Sequence, residues 1–467
     1  MFTLHKSILF RLLLFVSVLV IFGCQFLFPS LSTQTAIRPT ATPERLADPS
    51  IVAQNSFHED VTTSDLLLEK VPRDYDLLFF SDAVNPPIPE TAINLYSAST
   101  TTRERACLTC KLETDFLIRN LILRMPPGLS PDGRSIALSG GIVGENESIH
   151  EAGLWLFDLP RGKVRIIKSP GEESSSPGIL HPAWSPDGKR LAISGGSVSI
   201  IDVDADKPII PDHSMDLIDE VEGTDFSPNA YVTGYFSWSP DGTYLLYDDG
   251  TEYIIRLNVN QRTAIVLRPS VPITDYDHPV FTFAAWSPTG QQILYVSDTA
   301  ERSTGVTIEQ LYWMFEFTSG GGEPVIALDL YLMSAGGSDQ ICLTCDRDNA
   351  PAWVFTPSWS PNGKQIAFFG YDFSQLPKVF ENLFVADLEN GELRILTRYP
   401  SDGPGMFTAY KESGPPRWSS DGGRLAFSAK HEGNYAIFVI NADGSNMQVI
   451  AQEPGQDFVF PLWLEYR

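Results

Sequence analysis

The sequence has few basic residues, since 33 Lys and Arg stand against 58 Asp and Glu and give a formal net charge of −25. Binding to nucleic-acid phosphates needs clustered Lys and Arg, so this balance argues against a nucleic-acid partner. It also argues against broad adsorption to an anionic lipid surface. An acidic, soluble surface is the interpretation that remains, and it identifies no partner by itself.

The sequence also lacks a catalytic signature. It contains no Gly-x-Ser-x-Gly turn of the kind that carries a hydrolase nucleophile. Its acidic run from Asp202 to Asp206 resembles the start of a calcium loop, but Lys207 replaces the required Gly and His213 replaces the Glu at position twelve. We therefore expect an acidic turn there, no bound metal, no cofactor and no catalytic residues.

Long apolar runs are missing outside the first residues. Leu12 to Phe22 is an apolar run of 11 residues behind Lys6 and Arg11, too short for a comfortable membrane span. The run ends in Gly23-Cys24, which resembles the bacterial lipobox, in which this Cys is acylated. The resemblance implies a lipoprotein signal over residues 1–24 with Cys24 as the lipidated residue; an uncleaved anchor or a cut nearby is the alternative.

Residues 25–70 are rich in Ser, Thr and Pro and show no apolar periodicity. Such a segment is typical of a flexible tether, with a span of roughly 35 Å for about 40 residues. We expect the tether to hold a folded part, residues 71–467, away from a membrane surface.

A repeated motif organises the rest of the chain. Trp184-Ser-Pro-Asp-Gly188 is typical of a tight turn between two strands, because Pro presets φ and Gly takes the left-handed position. Related motifs recur at intervals of 48 to 73 residues, the period of a four-stranded propeller blade. The Ser residues of these motifs are Ser130, Ser185, Ser239, Ser287, Ser360 and Ser419.

A second repeat is a spacing of 11 residues between a position on the third strand of a blade and its expected partner on the fourth strand of the same blade. The predicted pairs are Tyr96 with Cys107, Trp155 with Ile166, Ile255 with Val266, Tyr331 with Cys342, Phe384 with Ile395 and Phe438 with Val449. The first of them belongs to a blade that lacks its innermost strand. The segment Phe460 to Trp463 supplies it, so we predict an all-β, seven-bladed propeller closed by its C-terminal strand, with six blades as the alternative count.

These motifs resemble the TolB-type propeller repeats of bacterial periplasmic proteins over about 390 residues. TolB itself carries an α/β domain ahead of its propeller. The tether stands in that place here, so the resemblance implies the fold but not TolB's role in the Tol-Pal system. Prolyl oligopeptidase propellers are also similar, but those enzymes add a hydrolase domain.

The long insertions of the repeat all belong to the second-to-third and fourth-to-first connections, which share one face of a propeller. We expect binding on that face and at the mouth of the central channel. Its insertions include an alternating segment that is either a long hairpin packed on blade five or an aromatic patch for a partner. The partner-binding candidates are Tyr312, Trp313, Phe315, Phe317, His181 and His278.

The other four cysteines form two identical motifs, Cys107-Leu-Thr-Cys110 and Cys342-Leu-Thr-Cys345. They fall in blades one and five, nearly opposite each other, so one molecule cannot join them in a zinc site. A local disulfide in each motif is the favoured interpretation for an oxidising compartment. It requires the strand to turn, because residues three apart on a straight strand are about 10 Å apart. Free thiols and metal or redox chemistry remain as alternatives.

The function that the sequence favours is an envelope-anchored, non-enzymatic interaction module that recognises a protein or peptide on the long-loop face. Its membrane contact would be the N-terminal lipid or anchor alone, on the periplasmic or extracellular side. The alternative is an extracytoplasmic hydrolase, lyase or glycan-binding protein that uses the channel mouth.

Overall fold

In the computed structural model the regular elements are all β-strands. No helix long and apolar enough to cross a membrane occurs among the described residues. The structure describes residues 69–81, 94–110, 116–117, 128–143, 149–168, 182–194, 198–203, 220–222, 236–248, 253–269, 283–307, 324–345, 350–351, 353–375, 378–397, 399–400 and 414–464.

The strands in chain order are β1 Leu77–Ser81, β2 Asn94–Ala98, β3 Arg105–Cys107, β4 Phe116–Leu117, β5 Gly128–Leu129, β6 Ser135–Val143, β7 Ile149–Asp158, β8 Lys163–Lys168, β9 Ala183–Trp184, β10 Arg190–Ser194, β11 Val198–Asp202, β12 Glu220–Glu222, β13 Ser237–Trp238, β14 Tyr244–Asp248, β15 Tyr253–Asn258, β16 Thr263–Pro269, β17 Ala284–Trp286, β18 Gln292–Thr307, β19 Pro324–Ser334, β20 Ile341–Cys342, β21 Trp353–Trp359, β22 Gln365–Gln375, β23 Lys378–Asp387, β24 Leu393–Ile395, β25 Tyr399–Pro400, β26 Arg417–Trp418, β27 Arg424–His431, β28 Asn434–Asn441, β29 Gln448–Ala451 and β30 Phe458–Trp463.

The repeated turn motif joins the first and second strands of the six repeat units that contain it. In the copy at Ser185, the serine hydroxyl donates to Asp187 Oδ1 at 2.5 Å and accepts from the Arg190 backbone N–H at 2.9 Å. Gly188 has φ 69°, a left-handed value that favours glycine. The serine-to-backbone bond recurs in all six copies, so the motif is a structural turn.

Within each repeat unit the strands are antiparallel and lie side by side, from an innermost strand to an outermost strand. We name the repeat units by their innermost strands: unit one is β30-β1-β2-β3, and units two to seven begin at β5, β9, β13, β17, β21 and β26. All six predicted pairs of third-strand and fourth-strand residues are register partners in the structure. The prediction of an all-β fold with four-stranded antiparallel sheets is therefore confirmed.

Closure of unit one is also confirmed. Strand β30 pairs antiparallel with β1, so that Trp463 lies opposite Leu77 and Phe458 opposite Ser81. A bulge interrupts this pairing, and Phe460 within it has φ 54°. The innermost strand of unit six has a bulge at the same place, where Thr356 has φ 46° and, like Phe460, stands before a proline and three residues before a tryptophan.

Hydrophobic clusters join neighbouring units around the molecule. Six of the seven clusters of buried residues in the described part of the chain combine side chains of two adjacent units, and the seventh joins units one and two and also contains Tyr435 of unit seven. In one, Phe79 of unit one packs with Ile437 of unit seven; in another, Leu78 of unit one packs with Ile136 of unit two. The contacts thus run from unit one around to unit one again, the arrangement that the predicted ring of seven blades requires.

Four of the six sheets formed by the described strands depart from four strands. Units five and six are joined in one nine-stranded sheet through the parallel pair of Leu328 and Trp353, so the described strands form six sheets and the blade count stays a prediction. Unit three has three strands among the described residues, and β12, which follows it in the chain, pairs parallel with β16 of unit four instead. This pairing gives hydrogen-bond partners to the outer edge of β16, which would otherwise be open. The local sequence does not predict the pairing.

Candidate functional site: the central channel and the long-loop face

The innermost strands surround one cavity of about 510 Å³, which we call the central channel. Strands β5, β9, β13, β17, β21, β26 and β30 all contribute lining residues. The channel-lining position immediately before the tryptophan, or before Leu129 in unit two, is held by Gly128, Ala183, Ser237, Ala285, Ser358, Arg417 and Leu462. Six of these seven side chains are uncharged.

The tryptophans of the repeat brace one unit against the unit before it. Trp238 Nε1 donates to the Ala183 carbonyl at 3.0 Å, and Trp418 Nε1 donates to the Ser358 carbonyl at 3.2 Å. Trp463 repeats the contact at the ring closure, with 2.8 Å to the Arg417 carbonyl. These bonds hold the innermost strands at fixed distances and thereby fix the width of the channel.

The electrostatic character of the channel comes from a single residue. Among the described residues that line it, Arg417 has the only charged side chain. The hydroxyls nearby hold the scaffold together, since Ser358 donates to the Pro416 carbonyl at 2.6 Å and Ser237 accepts from the Trp286 backbone N–H at 3.0 Å. A half-buried guanidinium in a channel whose other described lining side chains are uncharged suits an anionic group.

The two faces of the ring differ in their connections. The first-to-second and third-to-fourth connections form what we call the short-turn face, as predicted. On the opposite, long-loop face, the second-to-third hairpins of units two, five and six extend well past their sheets. Strands β18 and β19 have 16 and 11 residues, whereas β10 and β11 have five each.

The second-to-third hairpin of unit six includes the segment from Tyr371 to Glu381. Its described residues form two paired strands that reach the pair Gln375 and Lys378.

An aromatic group with one carboxyl lies at the base of this hairpin. The Tyr371 ring is 4.9 Å from that of Phe355 and 6.4 Å from that of Trp353, between centroids. Glu381 is the register partner of Tyr371 on the next strand. Burial raises the pKa of Glu381 to about 8, and burial followed by the Glu381 charge raises the pKa of Tyr371 well above its ordinary value.

A protonated Glu381 would be a hydrogen-bond donor at neutral pH on the long-loop face. Sequence reasoning missed this group, because the pairing of Tyr371 with Glu381 depends on a register that the local pattern does not specify.

Both predicted disulfides are present. Cys107–Cys110 and Cys342–Cys345 each have a Cα–Cα distance of 5.6 Å, so the chain turns at the motif as the geometry requires. The Leu and Thr between the cysteines are buried in both motifs. Ile395-Leu396-Thr397 of unit six ends its fourth strand in the same way without cysteines, which makes the Leu-Thr pair part of the repeat.

The other predicted site residues lie outside the described part of the chain. They are Tyr312, Trp313, Phe315, Phe317, His181, His278 and the lipidation residue Cys24. Their predicted roles stay predictions.

No family model matches the chain, and no curated protein matches it either. Solved structures similar to it include TolB from Acinetobacter baumannii, with 15% identity over 80% of this chain and 79% of that chain and a TM-score of 0.43. Oligogalacturonate lyase from Vibrio parahaemolyticus has 10% identity over 82% and 87% and a TM-score of 0.47. The β-propeller domain of the Trilobed protease from Pyrococcus furiosus has 12% identity over 70% and 82% and a TM-score of 0.40.

These similar structures differ in activity, and their low identities carry no function over to this chain. The assignment of the fold rests on the strand pairing, the closure by β30 and the cyclic series of core clusters. The chain is a β-propeller whose repeat motifs resemble those of the TolB type.

Proposed function

We propose that this chain is an exported, envelope-anchored, non-enzymatic interaction module that recognises a protein or peptide on its long-loop face. The observation that carries the proposal is the projection of extended hairpins from units two, five and six on that one face. Variable elements displayed by a rigid scaffold are where binding residues concentrate. Exposed strand ends also offer backbone groups to an extended peptide.

The predicted N-terminal features support the anchored form of this proposal. Acylation at Cys24 would fix the chain to a membrane, and residues 25–70 would let the propeller stand off the surface. The two local disulfides fit an oxidising compartment outside the cytoplasm.

A photo-crosslinking experiment tests the proposal with a control in the same unit. Exposed Glu432 lies in the second-to-third turn of unit seven, on the long-loop face, and exposed Asn446 lies in its third-to-fourth turn, on the short-turn face. A photoreactive amino acid at each position, in protein expressed in its own membranes, should capture a discrete protein or peptide at Glu432 and none at Asn446. Equal labelling at both positions, or no product at Glu432, would contradict the proposal.

A second candidate is a glycan-binding or glycan-cleaving role at the channel, favoured by Arg417 in an otherwise neutral cavity of about 510 Å³. That cavity volume is within the range of ligand pockets, roughly 300–1,000 Å³. This candidate takes the lead if Glu432 captures nothing and an anionic oligosaccharide binds the protein in a manner that Arg417→Gln abolishes.

A further inference from the structure

The two Cys-Leu-Thr-Cys motifs share one hydrogen-bond pattern. The backbone N–H of the second cysteine donates to Sγ of the first, at 3.0 Å in unit one and 2.9 Å in unit five. A tyrosine hydroxyl lies near Sγ of the second cysteine, 3.6 Å away for Tyr96 and 3.3 Å away for Tyr331. The threonine hydroxyl accepts from a third-strand N–H at 3.0 Å in both units.

One residue distinguishes the two motifs. The threonine hydroxyl donates to Asn94 in unit one, at 3.0 Å, and to Asp329 in unit five, at 2.6 Å. Asp329 is fully buried. Burying a carboxylate costs free energy unless several partners compensate its charge. In unit one the uncharged amide of Asn94 accepts the equivalent hydrogen bond from the threonine. The strand geometry therefore does not require an acid at this position.

The carboxylate lies beside the sulfur atoms of unit five. A carboxylate oxygen of Asp329 and the two Sγ atoms of Cys342 and Cys345 all lie within 4.8 Å of one another. Zinc-type cations bind thiolates at about 2.3 Å and carboxylate oxygens at about 2.0–2.2 Å, so ligand atoms around one ion are separated by about 3.5–3.8 Å. The cluster needs only a small rearrangement to reach that spacing once the two sulfurs are no longer bonded.

We propose that unit five holds a redox-gated site for a thiophilic divalent cation of the zinc type, with Cys342, Cys345 and Asp329 as its ligands. A thiol or phosphine reductant supplies two electrons, the S–S bond breaks, and two thiols form with two protons from solvent. Binding of the cation then releases both protons and leaves two thiolates on the metal. The inference is independent of the function proposed for the long-loop face.

The surroundings support each ligand. The Cys345 N–H donates to Cys342 Sγ and stabilises negative charge on that sulfur. The Thr344 hydroxyl orients the Asp329 carboxylate, the role that outer hydrogen bonds play at metal sites. Cys342 and Cys345 are half-buried, so the cation can enter from solvent and water can complete a four-coordinate shell.

The test uses Co²⁺ as a spectroscopic probe and the full chain reduced under anaerobic conditions. Cys107→Ser/Cys110→Ser isolates the unit-five motif, and Cys342→Ser/Cys345→Ser isolates the unit-one motif. We expect one Co²⁺ per chain, with a thiolate-to-metal charge-transfer band, in the first protein. The second should bind at least about tenfold more weakly, because it lacks the charged third ligand.

Two exchanges of the third ligand decide the proposal. Asp329→Asn should weaken Co²⁺ binding by unit five at least about tenfold, and Asn94→Asp should strengthen binding by unit one by a comparable factor. Asn94→Asp keeps the test valid if the Asp329→Asn variant fails to fold. Equal affinities of the two motifs, no change with either exchange, or Co²⁺ binding by the oxidised protein would overturn the proposal.

Discussion

On the short-turn face one hydrogen-bonding pattern recurs from unit to unit, whereas on the long-loop face the connections differ in length in nearly every unit. The serine of each turn accepts from a backbone N–H at 2.8 to 3.1 Å in all six copies. The long-loop hairpins range from the five-residue strands β10 and β11 to the 16 residues of β18. The comparison teaches that repetition here marks what holds the ring together, and variation marks where a partner would be recognised.

The largest expected effect is on stability, at a repeated tryptophan near the short-turn face. Trp418 is 8% exposed, packs among residues of units six and seven, and donates to the Ser358 carbonyl. Trp418→Ala should lower the free energy of unfolding by about 3–5 kcal/mol, because a cavity opens and a hydrogen bond is lost. Chemical denaturation measures it, and Trp418→Phe should recover most of the loss. If Trp418→Ala lowers the free energy of unfolding by less than about 1 kcal/mol, the repeated elements of the short-turn face do not have the stabilising role assigned to them.

A second effect is pH-dependent and lies at the base of the long-loop hairpin of unit six. Since burial raises the pKa of Glu381 from 4.5 to about 8, the folded state binds a proton that the unfolded state releases in this interval. The free energy of unfolding should therefore fall as pH rises from about 4.5 to about 8. The slope should stay below the limit of about 1.4 kcal/mol per pH unit, because Glu381 is only half-buried.

Glu381→Gln should flatten this dependence and leave the variant more stable than the native protein at pH 8. Thermal unfolding between pH 5 and pH 8 measures the difference. Glu432→Gln, at an exposed position on the same face, is the matched control and should follow the native profile. Parallel profiles for the native protein and Glu381→Gln would show that Glu381 is ionised in the folded state.

The smallest expected effects form a pair, one on each face. Ser239 donates to Asp241 at 2.6 Å and accepts from the Tyr244 N–H at 2.8 Å, so Ser239→Ala should cost about 1 kcal/mol. Exposed Glu432→Ala should change stability by less than about 0.5 kcal/mol. We expect Ser239→Ala to keep partner capture and Glu432→Ala to reduce it; the reverse result would assign recognition to the wrong face.

The order of strands was predictable because its determinants are local and repeated. A spacing of 11 residues identified register partners such as Tyr331 with Cys342, since one hairpin turn fixes that register. Closure by Trp463 followed from a missing strand and a matching motif. The bulges at Thr356 and Phe460 were not predicted. Both residues adopt a left-handed conformation that β-branched and aromatic residues disfavour, so their own preferences do not indicate it.

The candidate site was less predictable for a physical reason. Glu381 is paired with Tyr371, and the surroundings of Tyr371 include Trp353 of unit six and Tyr435 of unit seven, which come from two further strands. Similarly, the parallel pairing of β12 with β16 joins segments that the repeat assigns to different units. Contacts between units come from the curvature of the whole ring, which no local pattern encodes.

The pairing of β30 with β1 has a consequence for the order in which the molecule can be completed. The first sheet keeps an open edge on Leu77–Ser81 until the segment Phe458–Trp463 has been synthesised and delivered. Every shorter chain therefore leaves a strand edge open to pairing with other chains. Only a chain that has been made through Trp463 can cover the edge of Leu77–Ser81 with its own strand.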